Sequence, residues 1–236
     1  MRYNCCSWVG CVKVVLWTLI TLSFTGYLMY FYIGNPSGDW RILPDICCSL
    51  WRKLPLYIHI MGAAVVLWFG PVQMLNTIHY FRFHRVKFHK WTGIVYIIGC
   101  ILASLGGLGF IILNGTVGRI NMTIAFSVAG VLTFIFAMIT SYFAVKGPTV
   151  LHRTWAIRLY ALASSSVFYR VLYFAIYPVI RRLFGNLHGT YFHAPLDIAF
   201  DWLYFVVPMI VAEIYLYIRW KNIYCFKDIR QYPINI

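Results

Sequence analysis

Seven histidines, at positions 59, 79, 84, 89, 152, 188 and 193, are the residues with the widest chemical range in this chain. A neutral imidazole can ligate a metal, relay a proton or only hydrogen-bond, so placement decides its use. His89 and His152 each stand at the start of a long apolar segment, and both segments enter from the same face if the segments before them cross a bilayer. Their rings then share one depth. A bis-histidine haem needs that arrangement, one imidazole from each of two facing helices. His89 and His152 are therefore the candidate ligands of a haem iron, with Arg153 and Arg158 close enough in sequence to hold its propionates. His59 enters an apolar segment from the opposite face. About 20 residues of helix, or ~30 Å, separate it from the other two, so the three cannot share one metal. His59 is a candidate for a second site, with His193 or His188 as the partners available at its level.

A second set of residues is charged where the sequence is otherwise apolar. Arg158 and Arg170 fall inside one segment; Asp197, Asp201 and Glu213 fall inside another. A charge at mid-membrane costs on the order of 3 kcal/mol, so such groups face the bundle and seek partners. In an antiparallel helix pair, residues at equal depth have a constant index sum. Arg158 with Glu213 and Arg170 with Asp201 share the same sum. The sequence thus predicts two buried ion pairs, roughly 18 Å apart at a rise of about 1.5 Å per residue. One reading is mutual neutralisation alone. The other gives one arginine an anionic ligand group, such as a carboxylate or a haem propionate.

Other chemistry lacks its residues. There is no HExxH, no GxSxG and no Gly-rich phosphate loop. Seven cysteines occur without a CxxC pair or the even spacing of a disulfide framework. Cys5 and Cys6 precede the first apolar run, where S-palmitoylation and an unmodified thiol pair are both reasonable.

The elements that must position these groups are membrane helices. Apolar residues make up 61% of the 236-residue chain and charged residues 11%, which is too few charges to coat a soluble domain. Disorder and a water-soluble enzyme are excluded on the same ground. The fold expected is an all-α, six-helix transmembrane bundle forming a single domain over 1–236. Its spans fall at about 11–33, 54–78, 91–114, 121–145, 152–177 and 196–219. The first is too long for a signal-peptide core and lacks a cleavage motif, so it is read as retained.

Six spans leave both termini on one side, together with loops 79–90 and 146–151. That side carries twelve Lys and Arg against six on the other, so both termini are expected in the cytoplasm. The net charge of +14 then needs no nucleic acid. The segment His79–Lys90, HYFRFHRVKFHK, is expected to lie on anionic lipid headgroups, at about 1 kcal/mol per basic residue. Sequons at Asn114 and Asn121 sit in a short loop that hugs the opposite face, where glycosylation is not expected.

Local patterns add detail. Gly99, Ala103 and Gly107 form a stripe of small residues that permits close helix approach. Gly70-Pro71 should kink the second span, and Gln73 could satisfy a carbonyl freed there. The fourth span, with only Ser and Thr as polar residues beyond its start, reads as a lipid-facing wall.

Three strings in order, HIMGAAVVLWFGPVQ (His59–Gln73), HKWTGIVY (His89–Tyr96) and HRTWAIRLYAL (His152–Leu162), resemble the predicted multi-pass membrane proteins of domain-of-unknown-function family 2306. The resemblance covers about residues 56–175. It implies that His59, Gly70, Gln73, His89, Gly93, His152, Arg153, Trp155, Arg158 and Arg170 occupy family motif positions. Lys90 and Ile94 depart from it, standing where arginine is frequent. The resemblance carries no reaction.

Three functions fit these residues. The first is b-type haem binding between the two histidine-bearing helices for transmembrane electron transfer; any enzyme activity would then be a membrane oxidoreductase relying on an external redox partner. The second is a non-redox transporter or a small-solute or lipid-binding protein. Its parts are the broken second span and the charged fifth and sixth, although no inverted repeat is visible. The third is a structural accessory protein whose ion pairs set helix register.

Overall fold

The computed structural model describes residues 16, 19–20, 22–27, 50–75, 85–116, 118–184 and 195–225. All the regular structure in them is helical: α1 (Leu50–Leu75), α2 (Arg85–Asn114), α3 (Arg119–Lys146), α4 (Thr149–Ala163), α5 (Ser165–Val171), a π-helical turn (Leu172–Ile176), α6 (Tyr177–Phe184) and α7 (Pro195–Cys225). Long apolar runs leave the backbone only its own carbonyls to bond, and a helix satisfies them within the segment.

Among the described residues, four helices are long and apolar enough to cross a membrane: Leu50–Gln73, Lys87–Asn114, Ile120–Lys146 and Pro195–Arg219. The span expected at 11–33 lies mostly outside the described residues, of which 22–27 are helical. The span expected at 152–177 is divided. The serine run at 164–166 interrupts it: Ser164 Oγ donates back to the Tyr160 carbonyl at 2.7 Å, an alternative to the helical ladder that bends helices. The π-helical turn then widens the helix from two residues after Arg170.

Boundaries elsewhere follow local chemistry. Gly115, at φ +71°, ends α2 in the left-handed conformation, its N–H bonding the Ile111 carbonyl at 2.8 Å. Gly147 and Pro148 separate α3 from α4, the proline preceding the first helical residue of α4. Pro71 lies inside α1, which continues to Leu75 without interruption. Asn121, expected in a loop, sits within α3, and the Asn114 amide donates to the Arg52 carbonyl at 3.1 Å.

The tightest packing joins α1 to α2, and it is made by missing side chains. A Cβ at Gly62 would fall against the backbone nitrogen of Ala103 and 2.8 Å from the Gly99 carbonyl oxygen. One at Gly99 would lie 2.7 Å from Val65 Cγ1, and one at Gly106 would lie 2.5 Å from the backbone nitrogen of His59. The small-residue stripe thus brings backbone against backbone, with Gly62 as its counterpart on α1. Beyond this seam, α3 packs on α2 and α4, and α7 packs across α3, α4 and α5. Two clusters fill the interior. One gathers Val66, Tyr96, Cys100, Ala137 and Leu159. The other gathers Met122, Leu162, Tyr169, Phe200 and Tyr204 with their neighbours. The outer face of α3 presents Ile124, Val128, Val131, Ile135 and Met138, all exposed, which suits lipid contact.

Methyl groups test the seam. Gly62→Ala and Gly106→Ala should each destabilise the folded protein by about 1–3 kcal/mol, the usual effect of overpacking. Gly109→Ala should be close to neutral, because its Cβ would meet Pro55 at an ordinary 3.6 Å. Thermal unfolding in detergent, followed by gel filtration, measures all three; equal stability of the three variants would remove the seam from the account.

Candidate functional site

His152 lies in the first turn of α4 and His89 in the second turn of α2, near the chain-reversal end of each helix. Their ring centroids are 6.4 Å apart and their planes are inclined at 84°. His152 Nδ1 is 3.2 Å from the Thr140 carbonyl oxygen. A carbonyl can only accept, so Nδ1 carries the hydrogen in that bond and the neutral ring keeps its Nε2 lone pair. Metal-binding histidines are commonly oriented this way. The backbone beside His89 is fixed from α1: Gln73 Nε2 donates to Thr92 Oγ1 at 2.5 Å and to the His89 carbonyl at 3.3 Å. Thr92 passes its own hydrogen to the Phe88 carbonyl at 2.7 Å. Gln73 therefore bridges two helices.

His59 sits apart from this pair. Its Nδ1 bonds the Ala103 carbonyl at 2.6 Å, and Ala103 lies about 21 Å along α2 from His89 at helical rise. His59 and Arg170 instead share the lining of a cavity of about 300 Å³, which neither His89 nor His152 touches. His79, His84, His188 and His193 lie outside the described residues, as do Cys5 and Cys6.

The charged residues divide. Arg158 donates to Glu213 through Nε at 2.5 Å and Nη2 at 2.9 Å, a forked contact, and its guanidinium lies 4.9 Å from the centre of the Trp155 ring. The pair is at the edge of the bundle, its side chains 25% and 49% exposed. Arg158 and Glu213 thus form the ion pair expected from their equal index depth, through both Nε and Nη2. Arg153 remains beside His152 on the exposed face of α4. Arg219, which donates to Tyr215 Oη at 3.1 Å, is close enough to Arg153 to add to its positive field.

Arg170 and Asp201 do not form the second ion pair. The Arg170 guanidinium carbon is 5.6 Å from the Tyr169 ring centre and the side chain lines the cavity. Equal depth was a sound criterion but an incomplete one. Twelve residues at about 100° each place Arg170 roughly 120° around the helix from Arg158, so both cannot face α7. Eleven residues return almost to the starting direction, and Tyr169 takes the facing position. The carboxylates meet tyrosines: Tyr173 Oη donates to Asp197 Oδ1 at 2.9 Å. Asp197 and Asp201, one turn apart, are 0% and 2% exposed, amid Tyr169, Tyr173 and Tyr204. Among the described residues, Asp201 Oδ1 and Tyr169 Oη have no hydrogen-bond partner. The angular spacing from Arg158 was the signal that could have found Tyr169.

Among the described residues, no three His, Cys, Asp or Glu side chains gather as a metal site. The family model described as "Predicted membrane protein (DUF2306)" matches residues 56–216, more than half of the chain. No curated protein and no solved structure matches.

A double-mutant cycle separates the two expected pairs. Removing Arg158 and Glu213 singly and together should give a coupling of about 0.5–2 kcal/mol, the range seen for polar contacts between membrane helices. The same cycle on Arg170 and Asp201 should give coupling near zero. Comparable coupling in both, read from unfolding in detergent, would restore the two-pair arrangement.

Proposed function

The chain belongs to the DUF2306 family of predicted membrane proteins, and we propose that it holds a b-type haem between His89 and His152 and passes electrons within the membrane. The observation that carries this reading is the separation of the two rings. If a ring nitrogen of each histidine were to hold one metal ion at about 2 Å, the ring centroids would stand roughly 6 Å apart. The rings here are 6.4 Å apart. His152, with Nδ1 held by the Thr140 carbonyl, turns its other nitrogen to the site. Arg153, with Arg219 near it, supplies positive charge for propionates at the bundle edge.

Bound haem supplies one-electron chemistry, with its potential set by the two imidazoles and the surrounding polarity. The chain's own part is to fix ring orientation and to exclude water on the bundle side. The His89/His152 end is assigned to the cytoplasm, within six spans, by the excess of basic residues. Lys87 and Lys90, exposed at the start of α2, suit anionic headgroups on that side. The non-redox alternative, a small-solute site, has its support elsewhere, in the cavity between His59 and Arg170. The two sites are compatible.

His89→Ala and His152→Ala should each abolish the reduced haem α band of protein purified in mild detergent, while His79→Ala and His84→Ala keep it. A folded, colourless wild type that stays colourless after haem addition would remove the proposal. So would equal haem content in all four variants.

A further inference from the structure

We infer that the cavity between α1, α2, α3 and the α4–α5 break is a binding site for a small single-chain organic acid, with Arg170 holding its anionic group. About 300 Å³ corresponds to roughly ten water volumes, room for an acyl chain of about eight carbons and its headgroup but not for a two-chain phospholipid. Val66, Leu108, Phe126 and Leu162 give the cavity apolar walls. At one end the lining turns polar, with Arg170 beside Tyr169, Ser165 and Ser166.

The charge is what selects the ligand. Among the described residues lining the cavity, Arg170 is the one Lys, Arg, Asp or Glu. A guanidinium stays protonated, and this one lies 5.6 Å from the centre of the Tyr169 ring. Asp201, the carboxylate expected to neutralise it, is buried amid Tyr169 and Tyr204 and forms no ion pair with it. A cation in an apolar cavity, without a carboxylate in ion-pair reach among the described residues, favours an anion that brings its own apolar surface. His59 adds a hydrogen-bonding edge, since its Nδ1 hydrogen is committed to the Ala103 carbonyl and Nε2 remains an acceptor in the neutral ring. The site is separate from His89 and His152, so it is independent of haem at the other end of the bundle.

The test is equilibrium binding of labelled octanoate to the full chain in maltoside micelles, with octan-1-ol and acetate as the matched probes. The expected result is one saturable octanoate per chain, with octanol and acetate each at least ten-fold weaker. Arg170→Gln should erase the preference for octanoate over octanol, and Arg170→Lys should keep most of it. Equal affinity for octanoate and octanol in the wild type overturns the inference without recourse to any variant. Acetate binding as tightly as octanoate overturns the amphiphile class, and octanoate binding unchanged in folded Arg170→Gln overturns the role of the arginine.

Discussion

The backbone-to-backbone approach of α1 and α2 is the constraint on which the rest of the structure depends. At Gly62, Gly99 and Gly106 a single methyl group would collide with the facing helix, two of the three collisions being with main-chain atoms that cannot rotate away. Lipid offers no hydrophobic drive for helices to associate, so close packing and interhelical hydrogen bonds must supply it. The seam does both. Because the helices are in contact at Gly106, His59 reaches the Ala103 carbonyl, and because they remain close at the other end, Gln73 reaches Thr92 and the His89 carbonyl. Each end of the α1–α2 pair therefore delivers a polar group to a defined place.

Much of this was legible in the sequence wherever one physical rule sufficed. Uninterrupted apolar length located α1, α2, α3 and α7, and the stripe at Gly99, Ala103 and Gly107 marked a close-packed face. The histidine pair followed from depth alone, because His89 and His152 stand near helix starts where little angular error accumulates. The rule failed where two coordinates were needed. Arg170 lies at a suitable depth for Asp201 but faces the cavity, and Tyr169 and Tyr173 stand on the side given to α7. The serine break at Ser164 and the π-helical turn at Leu172–Ile176 were also invisible to apolar length, since neither changes hydropathy much. Gly70 shows how a motif position can serve packing: a Cβ there would lie 2.5 Å from Tyr160 Cε2, so the glycine admits the tyrosine of α4 against α1.

Polar chemistry is consequently sorted by position along the bundle. The His89/His152 pair occupies one end, held by second contacts to Thr140 and through Gln73. Arg158 and Glu213 satisfy one another at the edge and are left with little capacity for a ligand. Arg170 lines the interior cavity, while Asp197 and Asp201 are buried among tyrosines and form no ion pair with it. Such segregation keeps a cation that can receive an anion away from the carboxylates that would cancel it.

The imidazole planes offer the most direct test of the central claim. If haem bound between rings held at 84° to one another, the two dπ orbitals of its iron would be nearly equal in energy. Electron paramagnetic resonance of the oxidised, haem-loaded protein should then give a strongly anisotropic low-spin signal with one dominant low-field feature, lost in His89→Ala and in His152→Ala. A well-resolved rhombic low-spin spectrum, as parallel rings produce, or a low-spin signal that survives both substitutions, would contradict the assignment of this pair.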